Sequence, residues 1–183
     1  MSEILGTLFK YLLALLAITA VVAVLYEALA SNKVSTAVSQ ITTLQSDINQ
    51  LYAGSSTGPS SSLQAGTLVS AGEVPTGMST SGTGPNAKLS NSWAGNVTIA
   101  QNSVTTSDVD IGYGSVPQEA CNKLVAALLP SMAQITINSG TPITVNGATT
   151  TSGNTTSTVD PVTAAATDCV SGTNTVTFTF PVS

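Results

Sequence analysis

Cys121 and Cys169 are the only cysteines in the chain, and histidine is absent. A zinc site of the usual Cys/His kind is therefore excluded, and neither cysteine sits at a metal-ligand spacing. Two lone cysteines behind an export-like N-terminus predict one disulfide, made in an oxidising compartment; two buried free thiols are the alternative. The bridge would close a loop of about 49 residues, worth about 4 kcal/mol by chain entropy. Without histidine the commonest general base is missing. The carboxylates are Glu3, Glu27, Asp47, Glu73, Asp108, Asp110, Glu119, Asp160 and Asp168. Asp108 and Asp110 share one face of an extended segment. A solvated loop is the preferred reading there, ahead of a weak calcium contact. Asn96-Val97-Thr98 and Asn154-Thr155-Thr156 match a glycosylation sequon, a short and common signal. No catalytic, cofactor or metal site is expected, and the chain reads as a non-enzyme.

Glu3 and Lys10 are the unusual charges, because both border or interrupt an apolar helical run. An ionisable group in such a helix is costly and is usually paired. Seven residues apart, they lie on nearly one face, two turns distant. Both can snorkel to an interface. The sharper expectation is pairing between neighbouring helices of a polymer, with Glu3 meeting either Lys10 or the N-terminal amine of Met1 on another copy.

The elements that position these residues follow from composition. The chain has 183 residues, 42% of them hydrophobic, and much of the Leu, Ala and Val falls in the first thirty positions. Charged residues are 7%, the net charge is −5 and only four residues are basic. No electrostatic footprint for nucleic acid exists. Residues 11–26, YLLALLAITAVVAVLY, carry no charge. The wider run 4–29 exceeds the roughly 20 residues that span a bilayer as a helix. It lacks the basic start and small-residue cleavage site of a secretory signal.

Helical periodicity continues beyond that run. Val34, Val38, Ile41, Leu44, Ile48 and Leu51 form one apolar face, flanked by Ala37 and Tyr52. One helix of about fifty residues is expected, about 75 Å long at 1.5 Å per residue, with Gly54 as its stop. Three parts result: 1–30, the hydrophobic half; 31–54, the amphipathic half; and 55–183, a β-rich head that begins with a Ser/Gly-rich loop over 55–92. That loop is expected to pack on the head, with a small helix or strand at Leu68 and Val69; a flexible linker is the alternative.

In the head, alternation predicts half-buried strands at Val97/Ile99, Ile135/Ile137, Ile143/Val145 and Val176/Phe178/Phe180. A hairpin turn is expected around Gly140. Ser115 and Gln118, with Pro117 in the first turn, form a capping-box pattern. A helix follows with Ala120, Leu124, Val125, Leu128 and Leu129 as its apolar face, ended by Pro130. Asp160-Pro161 opens a shorter helix that leads to Cys169. The fold class is α+β: a long N-terminal helix, hydrophobic then amphipathic, on an antiparallel sheet with one disulfide.

This order of parts resembles the type IV pilins, most closely their type IVb, bundle-forming branch. SNKVSTAVSQITTLQSDINQLYAG (31–54) resembles the second half of that family's first helix. Asn91-Ser92-Trp93-Ala94-Gly95 resembles its Asn-Pro-aromatic-Gly-Gly segment, Ile111-Gly112-Tyr113 through Cys121 the region of its first cysteine, and Asp160-Pro161 through Cys169 its C-terminal part. The family's glutamate near the start of the mature helix would fall at Leu5, and Glu3 is the nearest carboxylate. The resemblance implies a homopolymeric helical filament. It implies an inner-membrane subunit before assembly and an extracellular pilus after it. A prepilin peptidase, a platform protein, an ATPase and a secretin would be the partners. Adhesion, aggregation, motility, DNA uptake or conjugation are the roles it offers. A minor pilin or pseudopilin, or a membrane-anchored adhesin, are the rival readings.

Overall fold

The structure, a computed structural model, describes residues 2–53, 58–152 and 155–182; within these, the side chains of 2–8, 14–15, 17–30, 150–152 and 155–157 are outside the description. The chain divides into two compact units, Met1–Lys33 and Val34–Ser183. Helix α1, Ser2–Tyr52, supplies residues to both. In the first unit Phe9, Tyr11, Leu12, Leu13 and Leu16 are all more than half exposed, and Lys10 is exposed. Among the described residues no helix is long and apolar enough to cross a membrane. The apolar run expected over 4–29 lies mostly outside the described side chains, as does the Gly54 stop.

In the second unit the remainder of α1 buries Ala37, Ile41, Leu44 and Ile48 completely. This is the predicted face with two corrections. Ala37 is central to it, not a flank. Leu51, in the last helical turn, stands 46% exposed, while its neighbour Tyr52 packs against the core instead. Gln40 is buried as well, and its side-chain amide donates to the Thr76 carbonyl at 3.3 Å.

The Ser/Gly-rich segment is ordered where it is described. Helix α2, Ala65–Ala71, forms around Leu68 and ends at Gly72, whose φ of 82° allows a left-handed stop. The Gly72 N–H donates to Val69 O and the Glu73 N–H to Leu68 O, at 3.2 and 3.0 Å. Gly66 of α2 is pressed so closely on the Pro85 carbonyl that a Cβ has no room. Two short strands follow, β1 (Ser79–Ser81) and β2 (Lys88–Ser90).

The remaining strands are β3 (Asn96–Gln101), β4 (Asp108–Pro117), β5 (Gln134–Ile137), β6 (Ile143–Thr144), β7 (Gly147–Ser152), β8 (Thr155–Val159) and β9 (Thr173–Pro181). With β1 and β2 they make one antiparallel sheet of nine described strands, in the order β1-β2-β3-β4-β9-β5-β6-β7-β8. β9 follows the others in the chain yet lies between β4 and β5. Its Val176, Phe178 and Phe180 are fully buried, and Phe178 meets Tyr113 of β4 edge to face at 6.1 Å. Edge-to-face contact suits the ring quadrupoles.

Several local expectations change. Residues 108–110 belong to β4 and are not a solvated loop, because Val109, Ile111 and Tyr113 alternate inward. Ser115 does not cap a helix. It sits at φ 57° in the bulge where β4 shifts register against β9. Helix α3, Gln118–Leu128, starts behind Pro117 with no side-chain cap. The apolar face of α3 is as expected, and the chain leaves it through a 3-10 turn at Leu129–Ser131. The β5–β6 hairpin forms with Ile135 opposite Ile143. Its turn is carried by Asn138 and Ser139, both at positive φ, and the Gly140 N–H closes it on Ile137 O at 2.7 Å. Two consecutive positive φ values are the signature of a type I′ turn. β6 stops at Thr144, which leaves Val145 58% exposed in the next turn. Helix α4, Pro161–Asp168, is capped by Asp160, whose carboxylate accepts from the Val162 and Thr163 N–H groups. The Thr163 hydroxyl bond and these backbone bonds hold that carboxyl below the usual carboxylate range.

Candidate functional site

Residues 121–169 form the part of the head where chemistry and surface meet. Cys121 in the first turn of α3 and Cys169 just past α4 are both fully buried and are joined by a disulfide, with 5.9 Å between their Cα atoms. The expectation of one bridge is met, and the thiol alternative falls. The helix ends are held together around the bridge. Gln118 Nε2 donates to Cys169 O at 2.9 Å.

Asn174, at the start of β9, is almost completely buried and makes four side-chain bonds. Its Nδ2 donates to Val116 O at 3.2 Å and to Val170 O at 3.0 Å. Its Oδ1 accepts from the Val170 N–H at 2.9 Å and from Asn138 Nδ2 at 2.7 Å. Asn138 also donates to Asp168 O and accepts from the Thr175 N–H. Two asparagines thus tie the ends of β4, β5 and α4 to β9, beside the disulfide. Sequence reasoning missed both; the only local signal was Asn138 opening the Asn-Ser-Gly turn.

Asn91 plays a similar part at the same end of β4. Its Oδ1 accepts from the Trp93 and Gly95 N–H groups at 2.9 Å, and its Nδ2 donates to Gly114 O at 2.8 Å. Gly95 lies directly on the Gly114 carbonyl, where a Cβ has no room. The Asn91–Gly95 segment is therefore a rigid turn whose glycine is set by contact.

Asp108 and Asp110 both accept hydrogen bonds from side chains of the protein. Asp110 Oδ1 accepts from the Thr179 hydroxyl at 2.7 Å and from Asn102 Nδ2 at 3.0 Å. Asp108 accepts from the Ser107 hydroxyl. Among the described residues no group of three or more His, Cys, Asp or Glu is placed to hold a metal ion. Of the expected assembly residues, Lys10 is exposed on α1, while Met1 and the side chain of Glu3 lie outside the described residues. The sequon residue Asn154 lies outside them too, and Asn96 is exposed at the start of β3.

A groove of about 410 Å³ opens between α3 and α4. Val125 and Leu129 line one wall, Pro161, Val162 and Ala165 the other, with Val145 at the rim. Its lining is apolar apart from Asn122.

The fold is similar to a crystal structure of a type IVb pilin from Salmonella typhi, at 23% identity and a TM-score of 0.54, covering 82% of this chain and 99% of that one. It is also similar to TcpA, a type IV pilin from Vibrio cholerae El Tor biotype, at 19% identity and a TM-score of 0.52, covering 81% and 98%. The NMR structure of the type IVb pilin PilS from Salmonella typhi gives 24% identity and a TM-score of 0.50, covering 80% and 95%. Identities of this size speak for the fold alone. No curated protein matches the chain. A family model described as PilS N terminal matches residues 31–181. Because that match takes in the amphipathic part of α1 and every strand through β9, the chain belongs to the PilS family of pilins, in the type IVb fold.

Proposed function

We propose that this pilin polymerises into a helical surface filament through the apolar N-terminal part of α1. The observation that carries this reading is the exposure of Phe9, Tyr11, Leu12, Leu13 and Leu16 on one stretch of helix. Large apolar side chains repeated around a helix need cover. Lipid supplies it while the subunit waits in the inner membrane, and copies of the same helix supply it in the filament core. Moving such a surface out of water is worth about 25 cal/mol per Å². Lipid tails are already apolar, so the exchange itself releases much less, and close helix packing must supply the remainder.

Glu3 would then pair with the Met1 amine or with Lys10 of a neighbouring copy, because a carboxylate in an apolar core demands a partner. A prepilin peptidase would trim a leader. A platform protein and an ATPase would lift the subunit from the membrane, and a secretin would pass the filament outward. The head, with so few charges, would form the outer surface and set adhesion and bundling; its role is structural, with no catalysis.

Electron microscopy of filaments sheared from expressing cells, with mass spectrometry of their subunits, tests this. Filaments composed of this chain, free of any leader, are expected. A chain found only as a monomer in the membrane fraction overturns the reading.

A further inference from the structure

Many amides of the head hold the fold's own groups. Asn91, Asn102, Asn138, Asn174, Gln101 and Gln118 each bond another part of the chain. Gln64, Asn86 and Asn96 differ. They are exposed, and their side chains make no hydrogen bond among the described residues. All three line one cleft of about 280 Å³, together with Lys88 and Thr98. That volume lies near the lower end of small-molecule sites. Lys88 is one of only four basic residues. It makes no ion pair among the described residues, where the one salt bridge is Lys123–Glu119. No carboxylate lines the cleft to neutralise it.

The cleft follows from local structure. β2 pairs with β3 at Leu89–Val97 and Ser90–Asn96, and beyond these pairs the strands part at Lys88 and Thr98. Leu89, Val97 and Ile99 are buried, so alternation turns Lys88, Asn96 and Thr98 outward. Gln64, just ahead of α2, and Asn86, in the 3-10 turn Gly84–Asn86, border the opening. The close contact of Gly66 with the Pro85 carbonyl locks α2 to that turn. The Ala87 N–H closes the turn on Gly84 O at 3.0 Å. The walls are therefore set before a ligand arrives, which limits the ordering cost of binding.

We propose that this cleft binds a sugar acid, a pyranose that carries one carboxylate. One ammonium answers one carboxylate through a charge-assisted hydrogen bond. Side-chain amides and hydroxyls both donate and accept, which suits the adjacent hydroxyls of a sugar ring. A dianion such as phosphate fits less well, because a single lysine leaves half its charge unmatched and the chain has no arginine to grip it. A neutral sugar would leave Lys88 without a counterpart. The Asn96 and Thr98 of the sequon thus face a bound sugar and do not carry an attached one. The inference rests on the adhesive role proposed above for the head only for its use at the cell surface; the binding itself needs no filament.

The test is calorimetric titration of the full-length subunit in detergent micelles. Glucuronate and N-acetylneuraminate are the probes, and glucose, acetate and inorganic phosphate are the comparisons. At least one sugar acid should bind about tenfold tighter than every comparison. The one that binds assigns the source, a uronic-acid polysaccharide or a glycan ending in a nine-carbon sugar acid. Lys88→Gln should weaken that binding by at least about tenfold, and Lys88→Arg should retain most of it. Gln64→Ala and Asn96→Ala should each weaken it by about two- to tenfold. Both residues are exposed, so melting should not move, and these two variants carry the test should Lys88→Gln melt early. The proposal is overturned if neither sugar acid binds, or if acetate or phosphate binds as tightly. Binding unchanged by Lys88→Gln and Gln64→Ala, or a glycan attached to Asn96 in the native subunit, overturns it as well. Each of these results leaves the filament reading intact. Absence of filaments on cells overturns that reading and not the binding measured on the subunit.

Discussion

Asn138 Nδ2 donates to Asn174 Oδ1 at 2.7 Å, joining two residues 36 positions apart at the point where β5, β9 and α4 converge. Asn174→Ala removes all four side-chain bonds and leaves the Val116 and Val170 backbone groups without these partners. A loss of about 2–4 kcal/mol is expected from orphaning buried polar groups. Asn138→Ala should cost about 1–2 kcal/mol, partly from placing alanine at φ 49°. The double variant should cost less than the sum, since both act on one network. Urea denaturation of the three variants measures this; strict additivity would remove the network.

Reduction of Cys121–Cys169 releases a loop spanning 48 positions. The expected loss is about 4 kcal/mol, a large share of a domain's usual 5–15 kcal/mol. Paired Cys→Ser substitution should match reduction. A melting temperature indifferent to reductant would refute the stabilising role.

Tyr113 is fully buried, and its hydroxyl has no hydrogen-bond partner among the described residues. Burial pushes the phenol well above its ordinary value near 10. The fold thus retains a proton that the unfolded chain releases, so stability falls as pH rises above about 10. Tyr113→Phe should be within about 1 kcal/mol of the parent at pH 7, because the lost hydroxyl satisfied nothing. It should also flatten the alkaline arm of a denaturation–pH profile. An unchanged alkaline arm contradicts the assignment.

Glu3→Ala should reduce filament yield by at least about tenfold, if an apolar core leaves its partner amine unpaired. The melting of the head should not move. Normal filament yield from this variant would dispose of the proposed pairing.

What the sequence disclosed depended on where burial alternates. Val97/Ile99 and Val176/Phe178/Phe180 were plain because one face of each strand is apolar and the other is threonine or alanine. The apolar stripes of α1 and α3 were plain for the same reason at helical period. β4 carries a comparable alternation, Val109, Ile111 and Tyr113, but the intervening Asp108, Asp110, Gly112 and Gly114 disguise it as a loop. β7 and β8 consist largely of threonine and serine and offer no contrast between faces. The short β1 and β2 give too few residues for a period to register. In the candidate site, the bridge was readable because only two cysteines exist. The asparagine network was not, since its partners are brought together by topology. Ser115 misled because its capping pattern is genuine in spacing, while the bulge of β4 had already claimed the residue.

The seat of β9 bears on when the head can fold. Ribosomes deliver the chain in order, so α1 and the first eight strands emerge while the slot between β4 and β5 is still vacant. Until residue 181 has been made and brought across, the Phe178 and Phe180 rings are missing from the middle of the core. Cys121 must wait as well, as its partner immediately precedes that last strand. The head therefore cannot complete its core until the whole chain has been made, and until then the sheet has an open slot at its centre.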